Sequence, residues 1–196
     1  MENKNFNLVI VGIGGQGQIT LMKILAQAAL LEKKEVKTSE LHGLSQRGGS
    51  VEVQMRFGKE IFSPLVFQAG ADLILALEMH ESLRALYYCS EKTKFLINRN
   101  LIPIPGQTSL SEEEILKAIK KFTKKITIIN ATEICKKEFG NEILAGIYLI
   151  GYGVYKKMIP LKPKSVLNAI KKLIPEKYLE SNLKAFKLAS ASEAVK

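Results

Sequence analysis

Residues 6–17 read FNLVIVGIGGQG, a short apolar run that breaks into Gly12, Gly14, Gly15 and Gly17 and then enters a helical pattern. A continuous apolar run of this length reads as a strand buried on both faces. A glycine turn feeding straight into a helix is how an open α/β sheet begins. Between Gln18 and Leu31, Leu21, Met22, Leu25, Ala28 and Ala29 fall on one helical face. Val36–Ser39 then follows as a second strand, at the separation a βαβ unit needs. Directly after it comes a second glycine-rich stretch, TSELHGLSQRGGS at residues 38–50, with Arg47 beside Gly48 and Gly49. Both loops are expected at the carboxyl edge of one sheet, where such sheets take ligands.

The remaining pattern extends this picture. Residues 51–57, VEVQMRF, alternate as a half-exposed strand does, Gly58-Lys59-Glu60 is a turn signal, and Ile61–Ser63 is expected to return as a hairpin. Ala71–Leu77 is a run that parallel sheets bury on both faces, followed by a helix over His80–Tyr88 and strands at Lys94–Ile97 and Ile126–Ile129. Two prolines and a glycine make the stretch before Ser111 a loop, and Ser111 with Glu114 opens a helix as a capping box. Residues 131–139, 142–158, 163–173 and 176–191 read as helices punctuated by Pro160, Pro163 and Pro175. The expected fold is α/β: a Rossmann-like, mostly parallel sheet with an inserted β-hairpin and a helical C-terminal tail over about 156–196, in a single domain spanning 1–196.

Composition removes whole classes of function. The apolar stretch Ile143–Val154 carries Gly146, Gly151 and Gly153, and no segment approaches the ~18–20 apolar residues of a membrane span, so it reads as a buried helix and no membrane contact is expected. MENKNFN has no apolar core ahead of a cleavage site, and Cys89 and Cys135 lie isolated without metal spacing. Both point to a cytoplasmic protein with reduced, buried thiols and no metal. The net charge of +10 divides into +2 over residues 1–100 and +8 over 101–196, almost all of it lysine in pairs at helical spacing. Solvated helix faces explain such pairs, or a surface that attracts an acidic partner. Nucleic-acid grooves mix in arginine and aromatics, and no such partner is expected.

The polar residues expected at strand ends, Gly12–Gly17, Glu40–Gly49, Glu78, Asn98 and Asn130, describe a crevice beside the glycine loops. Gly12, Gly14 and Gly17 satisfy GxGxxG, but the second strand ends Thr38-Ser39, with Glu40 late for the acid that holds a dinucleotide ribose. No GxxxxGK[ST] exists, and His42 and His80, the only histidines, lack triad or metal partners at useful spacing. His42 lies within the second loop and is the better candidate for a polar role, while His80 decorates a helix start. No catalytic residue is expected. What remains is a crevice for an anion or for a close backbone contact, with backbone donors at the first loop and the planar fork of Arg47 at the second.

GIGGQG after a first strand, then SELHGLSQRGGS running into VEVQMRFG and an SPL turn, closely resembles the gamma subunits and domains of the 2-oxoacid:ferredoxin oxidoreductases. Among them it is most similar to the small beta subunit of the indolepyruvate enzymes. The resemblance is strongest over residues 7–79, looser to about residue 155, and does not reach the C-terminal helices. It implies an enzyme that oxidatively decarboxylates a 2-oxo acid, an aryl pyruvate such as indolepyruvate, with thiamine diphosphate. Electrons pass through iron–sulfur clusters to ferredoxin, and an acyl-coenzyme A is released. This chain has neither a GDG…NN thiamine pattern nor cysteine runs for a cluster. The resemblance therefore implies a non-redox small subunit, inactive alone, beside a larger subunit that holds both cofactors. Coenzyme A is then the ligand expected at Gly12, Gly14, Gly15, Gln16, Gly17, Arg47, Gly48 and Gly49. Close backbone contact with the larger subunit is the other reading of the same glycines. Two further classes stay open: a small nicotinamide- or flavin-dependent reductase, and a regulatory module that senses a nucleotide or coenzyme A.

Overall fold

A computed structural model describes residues 5–43, 48–103 and 109–194. The first strand, β1 (Phe6–Ile13), leads through the glycine turn into α1 (Gln18–Leu31), and then come β2 (Glu35–His42) and β3 (Ser50–Gly58). After β4 (Leu73–Ala76) the chain makes the short helix α2 (Glu81–Arg84) and β5 (Lys94–Asn98), then α3 (Glu112–Lys120) and β6 (Ile126–Ile129). Helices α4 (Ala131–Phe139), α5 (Ala145–Tyr155), α6 (Pro163–Leu173) and α7 (Glu176–Leu188) complete it. One six-stranded sheet runs in the order β2-β3-β1-β4-β5-β6. The pairs β1–β4, β4–β5 and β5–β6 are parallel, while β3 is antiparallel to both its neighbours, β1 and β2.

The α/β, mostly parallel architecture matches the expectation, but the inserted hairpin is a different one. It is β2–β3, joined across the second glycine stretch, and it places β3 between β1 and β2 (Ile13↔Ser50, Phe6↔Phe57; His42↔Val51, Val36↔Phe57). Burial explains the choice. Val51, Val53, Met55 and Phe57 of β3 are buried, as an interior strand requires, whereas β2 is exposed along most of its length and carries charge at Glu35, Lys37 and Glu40, as an edge does. Ile61–Ser63 makes no strand. The Ile61 N–H donates to the Glu35 carboxylate, Arg56 donates to the Ser63 and Leu65 carbonyls, and the Val66 N–H donates to Gln54 Oε1. Polar side chains of β2 and β3 thus hold this segment across the sheet instead of pairing with it.

Side chains divide by strand parity onto two covered faces. Leu8, Ile10, Val53, Met55, Leu73 and Leu75 share a core with α1 and α4–α7, and Val9, Val11, Ile74, Ala76, Phe95 and Ile97 pack with Ala85, Ile115 and Ile119. The C-terminal helices take part in the first of these cores: Val166, Ala169 and Ile170 of α6 and Ala185 and Phe186 of α7 are fully buried. Three of the expected helices divide. The 80–88 segment passes from α2 into a 3-10 turn at Ala85–Tyr88, α5 is preceded by another at Glu142–Leu144, and α7 runs into a third at Ala189–Ala191. Both cysteines are buried and free, and burial pushes the Cys135 thiol up to about 12. Among the described residues no helix is long and apolar enough to cross a membrane.

Helix α5 is buried from Ala145 to Val154, against α1, α4, α7 and β5. It fits because its glycines let neighbours approach: a Cβ on Gly151 would stand 2.6 Å from the Phe186 backbone oxygen of α7. Alanine ordinarily gains about 1 kcal/mol over glycine inside a helix. At Gly151 the order reverses. Gly151→Ala is expected to lower the unfolding free energy by about 1–3 kcal/mol in a urea titration, because backbone cannot step aside as a side chain does.

Candidate functional site

The two glycine loops are hydrogen-bonded to each other. The Gly14 N–H donates to the Gly49 carbonyl at 2.7 Å and the Gly48 N–H donates to the Gly14 carbonyl at 3.4 Å, which carries the β1–β3 ladder past its last strand pair, Ile13↔Ser50. Gly12 to Gly17, Gly48 and Gly49 are thus brought together at the carboxyl edge of the sheet. Arg47 lies outside the described residues.

This pairing changes which donors remain for a ligand. The Gly14 amide is taken by Gly49, the Ile13 amide donates to Gln16 Oε1 at 2.8 Å, and the Gln16 amide donates to the Ile13 carbonyl at 3.1 Å. Gln18 Nε2 also donates to the Ile13 carbonyl, at 2.9 Å. These two glutamines fold back over Gly12, where a Cβ would meet Gln16 Oε1 and Gln18 Nε2 at 2.6 Å each. Gly12 is therefore a packing position. Gly17 (φ +83) turns the chain into α1, which starts with no side-chain cap and no acidic residue in its first turn. A helix start of this kind leaves amides and a partial positive charge facing outward.

Beside this turn, on the α5 side of the sheet, lies a cleft of about 240 Å³. Gly15, Gln16, Asn98, Asn100, Ile102 and Thr132 face it together with Ile143 and Gly146, and Glu142 is the one charged side chain among its lining residues. Asn98 is buried and fully engaged: its Nδ2 donates to the Leu77 carbonyl (3.1 Å) and to Thr132 Oγ1 (2.7 Å), and its Oδ1 accepts the Thr132 N–H (3.2 Å). It ties the end of β5 to the start of α4. Asn130, expected in the crevice, stands at the start of α4 without a side-chain cap bond, and Thr132 faces the cleft instead. Gln16 belongs to the GIGGQG motif, whereas Gln18, Asn100 and Thr132 carry no sequence motif, so pattern alone could not single those three out.

Glu78 caps α2 by accepting the Glu81 N–H at 3.0 Å and does not line the cleft. His42 joins Leu41, Gly43, Ser50, Glu52 and Arg84 around a second hollow of about 360 Å³, on the opposite face of the sheet. There the buried Glu81 carboxylate accepts from the Ser50 hydroxyl and from Arg84 Nε at 3.2 Å. Glu52 accepts from the Tyr88 hydroxyl at 2.7 Å, and burial together with that carboxylate raises the tyrosine pKa, so Tyr88 stays a donor. The dinucleotide layout is not assembled. With β3 between β1 and β2, the end of β2 and Glu40 stand two strands from the first glycine loop. Among the described residues no group of His, Cys, Asp and Glu comes together as metal ligands.

A family model described as pyruvate ferredoxin/flavodoxin oxidoreductase matches residues 7–192. The chain is 36% identical over 189 residues to the indolepyruvate oxidoreductase subunit IorB of Archaeoglobus fulgidus, covering 93% of this chain and 92% of that protein. Its fold matches the pyruvate oxidoreductase subunit PORC of Thermotoga maritima with a TM-score of 0.71 at 20% identity, over 98% of this chain and 99% of that one. It also matches the 2-oxoglutarate:ferredoxin oxidoreductase of Magnetococcus marinus, solved with 2-oxoglutarate, coenzyme A and succinyl-CoA bound. That TM-score is 0.73 at 18% identity, over 97% of this chain and 31% of the longer one.

The hydrogen bonds of Asn98 make a direct prediction about the cleft floor. Asn98→Ala removes three hydrogen bonds, leaving the Leu77 carbonyl only the longer bond from Gln16 Nε2 (3.5 Å) and the Thr132 amide without its side-chain acceptor, and should lower stability by about 1–3 kcal/mol in denaturant unfolding. Asn130→Ala, which removes no side-chain cap bond, should stay within about 0.5 kcal/mol of wild type.

Proposed function

This chain belongs to the pyruvate ferredoxin/flavodoxin oxidoreductase family, and from that premise we propose that it is the coenzyme A-holding small subunit of a cytoplasmic 2-oxo acid:ferredoxin oxidoreductase. The substrate is an aryl 2-oxo acid such as indolepyruvate, a reading supported by the name of the Archaeoglobus relative. Thiamine diphosphate, which supplies the decarboxylation chemistry, and the iron–sulfur clusters that feed ferredoxin belong to a larger partner subunit. The donor set here supports that division. Cys89 and Cys135 are the only cysteines, and both are buried in the two cores, away from each other.

What this chain's own residues do is bind and orient. The observation that carries the reading is an uncapped helix start standing beside a nearly neutral, amide-lined cleft. Phosphate oxygens fit the first: the outward amides at the start of α1 and the positive-φ turn at Gly15 and Gly17 offer donors without a side chain in the way. Arg47, on the second loop, adds the cation. A phosphate does not fit the cleft itself, which has no lysine or arginine among its lining residues. The pantetheine arm does, since its two amides match Gln16, Asn100 and Thr132 while its methylenes lie on Ile102, Ile143 and Ala145. The arm then leads the thiol away from the phosphates toward the partner's active site.

The test is steady-state kinetics of the complete complex. Asn100→Ala and Arg47→Ala should each raise KM for coenzyme A about 5–10-fold, the equivalent of one lost hydrogen bond, while the complex remains assembled. An unchanged coenzyme A dependence in a complex that falls apart would mean that the glycine loops serve only subunit contact.

A further inference from the structure

Glu78 and His80 have no part in the site as described, yet they are the most heavily engaged polar pair near it. Glu78 is fully buried. Its Oε1 accepts the Ile102 N–H at 3.1 Å and lies 2.9 Å from His80 Nδ1, and its Oε2 accepts the Glu81 N–H. The other ring nitrogen, His80 Nε2, lies 3.1 Å from the Leu110 carbonyl. Two backbone amides and the His80 ring thus hold the carboxyl group of Glu78, and both ring nitrogens of His80 lie within hydrogen-bond distance of an oxygen. Hydrogen bonds at both oxygens make so deeply buried a carboxyl group tolerable.

One partner of this pair, Ile102, lies on a wall of the cleft. Between them the Met79 N–H donates to the Asn100 carbonyl at 2.9 Å, so residues 78–80 grip Asn100, Ile102 and Leu110 in succession. Asn100 and Ile102 both face the cleft. No other side-chain hydrogen bond reaches Ile102 or Leu110 among the described residues. The strand-end hydrogen bonds that fix Asn98 and Arg99 stop short of them.

We propose that Glu78 and His80 form a positioning pair that sets the Asn100–Ile102 wall, and through it the affinity of the cleft for the amide-bearing arm of its ligand. The proposal rests on the coenzyme A reading above, and the pair touches no ligand itself. Removing the clamp leaves the wall free to drift from the arm, which weakens binding without altering the partner's chemistry. KM for coenzyme A is therefore the quantity that moves.

The complete complex distinguishes the outcomes. His80→Ala should raise KM for coenzyme A about tenfold with kcat little changed. His80→Asn, whose amide stands where Nδ1 stood and can still donate to Glu78, should recover most of the loss. If Asn100→Ala raises KM for coenzyme A and His80→Ala does not, the positioning role is wrong and the cleft assignment stands. If neither raises it, both fail. A His80→Asn variant no better than His80→Ala also overturns the proposal.

Discussion

The antiparallel pairing of β3 with β1 is the constraint on which the rest of the molecule depends. It runs from Phe6↔Phe57 to Ile13↔Ser50 and continues through the Gly14–Gly49 hydrogen bond. In a strictly parallel unit β2 would lie beside β1, and the loop after it would open over the sheet edge as a separate arm. With β3 in between, Gly48 and Gly49 are drawn back against the first glycine turn. Glycines at 14, 48 and 49 leave no side chains at the crossing. The same pairing decides the chemistry, because it takes up the Gly14 amide and leaves the start of α1 as the exposed donor group.

Charge is distributed to match this division. The lysine excess sits largely in the C-terminal half of the chain, while the cleft is lined by neutral amides, a hydroxyl and aliphatic side chains, with Glu142 at its rim. Such a lining can hold a long, uncharged, amide-bearing chain. The chain belongs to the pyruvate ferredoxin/flavodoxin oxidoreductase family, whose members here are subunits of 2-oxo acid oxidoreductases.

Local order was legible from residue pattern wherever periodicity and caps agreed. Helix α1 begins and ends at Gln18 and Leu31 as its apolar face predicts, the Ser111–Glu114 box caps α3, and the glycine-bearing run before Tyr155 is a buried helix. Strand neighbours were not legible. VEVQMRF alternates whether it pairs with the segment before it or the one after it, and only the burial of Val51, Val53, Met55 and Phe57 between two strands decides. Period-2 patterns mark a face, not a partner. In the site, the glycines and Gln16 announced themselves through the GIGGQG motif, while Asn100 and Thr132 are ordinary residues whose meaning comes from where the chain returns in space. Glu78 could be read as a cap, and its hold on Ile102 could not.

Hydrogen–deuterium exchange on the assembled complex, with and without coenzyme A, tests the central claim most directly. The account predicts that coenzyme A slows amide exchange at residues 15–20, the positive-φ turn and first helical turn, and at residues 98–102, the cleft wall. Slowing in both segments on subunit assembly, with no further change when coenzyme A is added, would contradict it.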